Sequence, residues 1–225
     1  MLYDLQAARD NVRNRDGKRV FYLAKGDQLT SDARDHLLRE RIEILPAEQA
    51  RPARYRLLNG GYLEEKPEEM THLHGDVLVS KTHPRIAFRG AIDTLEAEFL
   101  LCALALPAQR QSLLELLGFT RQLLRCEVME QPLPATTLLG LTPEALRSHS
   151  HRPQDYYGKP HFMPEISHGE TVLRLNRLRT LARAAELQAA RAFTDGQGKA
   201  TRPDLLQGLN RLSSALYILM IQNHP

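Results

Sequence analysis

The C-terminal segment constrains this chain most. Residues 202–221 read Arg-Pro-Asp-Leu-Leu-Gln-Gly-Leu-Asn-Arg-Leu-Ser-Ser-Ala-Leu-Tyr-Ile-Leu-Met-Ile, a helix that is apolar nearly all round from Ala215 to Ile221. A helix apolar on every side has to sit inside a bundle. Asn210, Arg211 and Ser214 lie a turn earlier and need partners or a ligand, because an unpaired buried polar group costs about 1–3 kcal/mol.

At 225 residues the chain can bury a full core, and one main domain with a small appendage fits better than two equal domains. Met1 leads into a polar, charged run unlike a signal peptide, and no apolar stretch approaches the roughly 20 residues of a membrane helix. The expectation is a soluble, cytoplasmic protein. Cys102 and Cys126 are two unclustered thiols, too few for a metal knuckle, and are expected to be reduced. A net charge of +3 conceals a bias of 24 Arg against 6 Lys. Arg offers a planar fork suited to phosphate and carboxylate, although genome composition also raises Arg content. No basic stripe is interleaved with aromatics and Trp is absent, which argues against nucleic-acid binding.

Residues 18–45 predict a miniature β-α-β unit, with strands over 18–24 and 42–45 and a helix over 33–41 entered through Thr30 and Ser31. The segment 46–70 is rich in Pro and charge and reads as a mobile or weakly ordered connector, within which the Asn59-Gly60 pair carries the signature of a hairpin turn. Helices are predicted over 84–106, 108–130, 142–150, 169–194 and 203–222, with a loop rich in His, Tyr and Pro over 151–168. Pro84 suits a first helical turn, Pro107 ends that helix, and Pro132 and Pro134 break the next. The fold class is mainly α, a helical bundle with a small N-terminal α/β appendage. The expected divisions are 1–46, a connector over 47–70, and a helical domain over 71–225.

Three polar sets fall at helical spacing on these helices. Arg89, Asp93 and Glu96 follow an i, i+4, i+7 pattern, as do Arg179, Arg183 and Glu186. Asn210, Ser214 and Tyr217 share a third face, with Arg211 beside them. Interhelical ion pairing explains any one set. Across three, partly buried Arg residues outnumber Asp93, Glu96 and Glu186, and a phosphate-bearing ligand would supply the missing charge through bidentate bonds. His72, His74 and His83 precede the first long helix, and His149, His151, His161 and His168 surround the loop. Their spacing is a weak metal signal, since a site needs three or four converging ligands, and no metal ligand is assigned.

These residues match a family pattern. The pieces that carry it are Leu29-Thr-Ser-Asp-Ala-Arg34, Lys81-Thr-His-Pro-Arg-Ile-Ala-Phe-Arg-Gly-Ala-Ile-Asp93, Pro164-Glu-Ile-Ser-His-Gly169, Leu178-Arg-Thr-Leu-Ala-Arg183 and the run from Arg202 to Ser214. The chain resembles the cobalamin adenosyltransferases, most closely the EutT type of ethanolamine utilisation, and is related to the PduO type. The resemblance implies a five-helix bundle over 71–225 and homo-oligomers, usually trimers, with active sites between subunits. By that likeness Asp93 is the intersubunit carboxylate and Arg179 its partner. Arg183 and Asn210 hold ATP, and Arg89, Glu186 and Arg211 of the three polar sets join them as cofactor-binding residues. Lys81 and Arg85 form a basic approach to the triphosphate, and Phe162 displaces the lower ligand of cobalamin.

The implied reaction moves the 5′-deoxyadenosyl group of ATP, with Mg²⁺, onto cobalt(I) of the corrinoid, so no protein nucleophile is required. Implied partners are ethanolamine ammonia-lyase, a flavoprotein reductant and a microcompartment shell, with the protein inside a bacterial microcompartment. Three departures stand out. Some EutT-type enzymes carry a His followed by Cys-Cys-x-x-Cys before the first helix, whereas residues 46–70 contain no Cys, so no iron or zinc requirement is expected. The Thr/Gly-rich phosphate loop of the PduO type is missing. Ser214 and Leu187 replace an Asp and an Arg of the relatives. The competing expectation is a non-catalytic corrinoid carrier that delivers adenosylcobalamin to the lyase.

Overall fold

The protein is described by a computed structural model covering residues 1–15, 17–50 and 55–225. It divides into two compact units, Met1–His83 and Pro84–Pro225.

The first unit is built on a mixed sheet. Strands β1 (Leu2–Tyr3), β2 (Arg13–Arg15), β3 (Lys18–Leu23), β4 (Gln28–Leu29), β5 (Glu43–Pro46), β6 (Tyr55–Leu57), β7 (Tyr62–Leu63), β8 (Met70–His74) and β9 (Val77–Ser80) are joined by helices α1 (Leu5–Asp10) and α2 (Ser31–Arg39). β1 and β4 form a parallel pair, and the other strands form a sheet ordered β5-β3-β2-β7-β6-β9-β8. The expected β-α-β unit is β3-α2-β5, with its two strands parallel from Val20↔Glu43 to Leu23↔Pro46. Thr30 is the cap of α2, its side-chain oxygen accepting from the Ala33 N–H at 3.3 Å. Ala33 and Leu37 of α2 are then buried with Ala8, Phe21 and Ile42. The unit is larger than that motif. The Asn59-Gly60 turn joins β6 and β7 into an antiparallel hairpin, and β7 lies parallel to β2, so the connector contributes strands to the same sheet. Gly61 has φ +87°, and a Cβ there would come within 2.9 Å of the Val12 carbonyl oxygen, which is why two glycines follow Asn59. Residues 51–54 of the connector lie outside the described residues.

The second unit is helical. It contains α3 (Pro84–Ala105), α4 (Arg110–Val128), α5 (Pro143–His151), α6 (Pro153–Tyr157), α7 (Gly169–Ala192) and α8 (Pro203–Asn223). α6 lies in the segment expected to be a loop, opened by Pro153 and closed by Gly158 at φ 64°. α8 is central: α7, α4 and α5 pack on it, and α3 packs on α7 and α4. Thirteen of its 21 residues are buried, as its all-round apolarity requires. Its close approach to α4 and the following segment needs Gly208, where a Cβ would come within 2.7 Å of Leu133 Cδ2 and 2.9 Å of Leu123 Cδ2. Arg202 and Asp204 anchor the α8 N-terminus. The Asp204 carboxylate accepts from the Leu133 N–H at 2.9 Å, and Arg202 donates to the Gln131 carbonyl at 2.8 Å. Among the described residues no helix is long and apolar enough to cross a membrane.

Candidate active site on the α7–α8 face

α7 and α8 run antiparallel, and two contacts fix their register. Glu186 Oε1 accepts from Asn210 Nδ2 at 3.2 Å, and the Arg179 guanidinium lies 6.0 Å from the Tyr217 ring centroid. Arg183 is spaced between Arg179 and Glu186 on the same side of α7. Arg179, Arg183, Glu186, Asn210 and Tyr217 therefore share one face.

The electrostatics of that face are unbalanced. Arg179 is half-buried, and both its Nε (3.2 Å) and Nη2 (3.0 Å) donate to the neutral Asn176 Oδ1. Burial lowers its pKa most and the nearby Arg183 lowers it further, while Tyr217 acts in the opposite direction. Arg183 is exposed. Two guanidiniums on one face, neither with a carboxylate partner among the described residues, have the chemistry to receive an anion through bidentate bonds.

Tyr217 links this face to the loop before α7. Its ring stacks on His161 at 5.8 Å and on Phe162 at 6.2 Å, and its hydroxyl is 2.9 Å from His161 Nδ1. Burial raises the Tyr217 pKa, opposed by its hydrogen bond to Phe162 and by Arg179. Phe162 is partly buried and also meets His224 at 4.1 Å and His168 at 5.2 Å. His168 Nδ1 accepts from the Glu165 N–H at 2.9 Å, which closes a single helical turn over Ile166–His168. Lys159 Nζ donates to the His224 carbonyl. The apolar edge of Phe162 is thus held in a cage of imidazoles and one phenol. Beyond it Met163 and Ile166 are 81% and 89% exposed.

Other predicted residues are distributed differently. Arg85 and Arg89 converge on Glu127 of α4, which is fully buried: Arg85 Nε lies 2.5 Å from Oε1 and Arg89 Nε 2.7 Å from Oε2. Arg85 also bonds Glu130 at 2.9 Å. The sequence count of anions overlooked Glu127, so a ligand phosphate is not needed to balance this pair. The signal was available, because Glu127 falls on the stripe of Leu113, Leu116, Thr120 and Leu123, where an acid requires a buried cation. The set Arg89, Asp93, Glu96 also splits. Glu96 pairs with Arg121 at 3.1 Å, and Asp93 is exposed. Arg211 is buried beside Asn210 and opens toward α5. Lys81 is exposed just after β9, in the first unit.

Among the described residues no three His, Cys, Asp or Glu converge on a common point. Instead His149 stacks on Tyr156 at 3.7 Å, and His72 Nδ1 lies 3.1 Å from the Gly75 carbonyl. Cys102 and Cys126 are buried and free, and burial together with Glu98 pushes the Cys102 thiol up to about 11. That is far from a thiolate nucleophile.

Known proteins share this architecture and sequence. The family model for cobalamin adenosyltransferase matches residues 61–222. The corrinoid adenosyltransferase EutT of Salmonella typhimurium is 39% identical over 166 residues, which is 72% of this chain and 62% of that protein. Its Escherichia coli K12 counterpart is 38% identical over 159 residues, 70% of this chain and 59% of that protein. The corrinoid adenosyltransferase PduO of Citrobacter freundii is 34% identical over 150 residues, 63% of this chain and 43% of that protein. The match therefore spans about three-fifths of the length of the EutT relatives. A variant of a PduO-type ATP:corrinoid adenosyltransferase from Lactobacillus reuteri, complexed with cobalamin and ATP, aligns with TM-score 0.53 at 17% identity. That alignment covers 70% of this chain and 92% of the solved one. With a family model covering most of its length and EutT relatives near two-fifths identity, the chain belongs to the cobalamin adenosyltransferase family.

Proposed function

We propose that this protein is an ATP:cob(I)alamin adenosyltransferase of the EutT type, with its site on the helical second unit. The observation that carries this is the pair of guanidiniums on α7, Arg179 and Arg183, without a carboxylate among the described residues and beside the caged Phe162. In the reaction the cobalt(I) of the corrinoid attacks the 5′ carbon of ATP, the C–O bond to the phosphate breaks, and triphosphate leaves. Charge grows on the departing phosphates, where fixed cations lower the barrier. Arg179 and Arg183 supply those cations, while Glu186 and Asn210 offer an acceptor and a donor for the ribose or base. Phe162 presents an apolar surface that keeps water and the axial base of the corrinoid from the cobalt. Mg²⁺ would be held largely by the phosphates of ATP, its common mode, and Glu186, the carboxylate of this face, would be its protein-side acceptor; the ion would offset charge on the departing phosphates.

Asp93 supports an intersubunit site. It is exposed on α3 with no partner among the described residues, while Arg179 lacks a carboxylate. A second copy would bring the two together, and a trimer closes three such contacts. We place this oligomer in the cytoplasm or a microcompartment, working with ethanolamine ammonia-lyase, a flavoprotein reductant and the shell.

The competing reading is a corrinoid carrier. One observation favours it: Arg85, expected near the triphosphate, and Arg89, expected among the cofactor-binding residues, are already balanced by Glu127 and Glu130. Anaerobic incubation of purified protein with ATP, Mg²⁺ and cob(I)alamin separates the two. Loss of the cobalt(I) band with formation of a light-sensitive alkylcobalamin is the expected result. Tight binding of adenosylcobalamin without turnover or ATP binding would make the protein a carrier.

A further inference from the structure

Arg211 presents an unexplained buried charge. It is 9% exposed, and among the described residues its hydrogen bond runs from Nη1 to Asn210 Oδ1 at 2.7 Å. Its Nε is buried without a partner. No carboxylate lies within ion-pair distance among the described residues, in contrast to Arg85 and Arg89, which share Glu127. Burial lowers the Arg211 pKa most, and Arg147 is the next largest influence in the same direction, with Glu144 and Glu186 opposing. A buried guanidinium with one neutral partner is costly, and an anion would satisfy it through charge-assisted bonds.

The space beside it is shaped for a ligand. A groove of about 460 Å³ between α5 and α8 is lined by Glu144, Arg147, Ser148, His151, Gln207 and Arg211. At Glu144, Gln207 and Arg211 it meets an inner cavity of about 190 Å³ walled by Phe119, Leu133 and Leu138. The groove thus carries two Arg against Glu144, the cavity is mainly apolar with Thr136 and Asp204 also in its wall, and neither is lined by an α7 residue.

The geometry points to a second anion site in this groove, binding a small organic phosphate or carboxylate with an apolar end. Arg211 and Arg147 hold the acidic group, Ser148 and Gln207 donate to it, and the apolar end lies against Phe119, Leu133 and Leu138. The lining includes none of Arg179, Arg183, Glu186 and Asn210, so loss of this response and loss of turnover are read separately, although Arg211 bonds Asn210 of the proposed ATP face.

Thermal melting of the full chain tests this, with phenyl phosphate, benzoate and inorganic phosphate added against chloride at matched ionic strength. The expected result is saturable stabilisation by phenyl phosphate or benzoate, at lower concentration than by inorganic phosphate. Which of the two saturates first identifies the acid. Arg147→Gln, an exposed position, raises the half-saturating concentration at least tenfold, whereas Arg179→Gln leaves it unchanged. Arg211→Met, which removes the unpaired charge, melts no lower than wild type without ligand and loses the response. Absence of saturable stabilisation would overturn the site. So would a response abolished by Arg179→Gln but not by Arg147→Gln, which would put the anion on the α7 face.

Discussion

The Arg179 guanidinium lies 6.0 Å from the centroid of the Tyr217 ring, and that ring stacks on Phe162. The cation proposed to meet the triphosphate and the apolar side chain proposed to meet the corrinoid therefore share one aromatic neighbour. Arg179 is held by both Nε and Nη2 on Asn176, a fork that an ammonium cannot reproduce. Arg179→Lys is expected to lower kcat at least about tenfold, about 1.4 kcal/mol in the barrier, with the melting temperature unchanged. Wild-type turnover in that variant would remove Arg179 from the mechanism.

Phe162 is caged by His168, His224 and Tyr217, so shortening it opens a gap where the proposed corrinoid face would lie. If its task is to exclude the axial base, Phe162→Ala impairs turnover of base-on cobalamin more than of cobinamide, which has no base to displace. Steady-state kinetics with both corrinoids measure the difference. Equal losses would reduce Phe162 to a packing role.

Glu127 carries a structural charge. Its carboxylate is fully buried, and the side chains of Arg85 and Arg89 that hold it are 16% and 17% exposed. Removing one partner from a buried ion cluster strands the others and costs about 3–5 kcal/mol. Glu127→Ala should therefore lower the melting temperature of the helical unit by roughly 10 °C. The triple change Arg85→Met, Arg89→Leu, Glu127→Leu should recover most of that loss. A Glu127→Ala protein as stable as wild type would show that the cluster contributes nothing net.

Much of this arrangement was legible because it rests on local chemistry. The apolar wrap of α8, the Thr30 cap of α2, the Asn59-Gly60 hairpin and the Pro-initiated helices each follow from periodicity or turn preference, and each occurs. The i, i+4, i+7 spacing of Arg179, Arg183 and Glu186 likewise anticipated a shared face. Pairings between elements distant in sequence were hidden. Nothing local to α3 says that Arg85 and Arg89 meet an acid some 40 residues away in α4, and only the Glu on an otherwise apolar stripe of α4 hinted at it. The β2–β7 pairing that draws the connector into the sheet is equally non-local. The aromatic cage of Phe162 combines one loop with the far end of α8, which no spacing rule connects.

Asp204 makes stability depend on pH. Burial alone would raise its pKa, but hydrogen bonds from Arg202 and from the Leu133 N–H outweigh this and hold it below the ordinary carboxylate range. A carboxylate whose folded pKa is lower than its unfolded value stabilises fully above the unfolded value, about 3.9, and loses that contribution as the pH falls through the folded one. Asp204→Asn should therefore cost about 1–2 kcal/mol at pH 7, with the gap from wild type closing under acid. Urea denaturation at a series of pH values measures it. A gap that does not change with pH would show that the charge on Asp204 is not what anchors the α8 N-terminus.

One face of α3 stays open along its length. Asp93, Ala97, Leu101 and Leu104 follow helical spacing and are all exposed. Leu101 and Leu104 are 58% and 73% exposed, with Leu100 beside them at 49%. Exposed leucines in line with a carboxylate that has no partner among the described residues suit contact with another copy of the chain better than contact with water. The leucines would supply burial there, and Asp93 would reach an Arg179 that has no acid partner among the described residues of its own subunit. Replacing Leu101 and Leu104 together with Asp adds charge where two copies would meet and alters no buried residue. The double variant should sediment as a monomer, melt as a folded protein, and turn over at least about tenfold more slowly, because each site would have lost its second subunit. Asp93→Asn should leave the oligomer intact while impairing turnover. A fully active monomer would show that the site is complete within one chain, and that Asp93 and Arg179 act without each other.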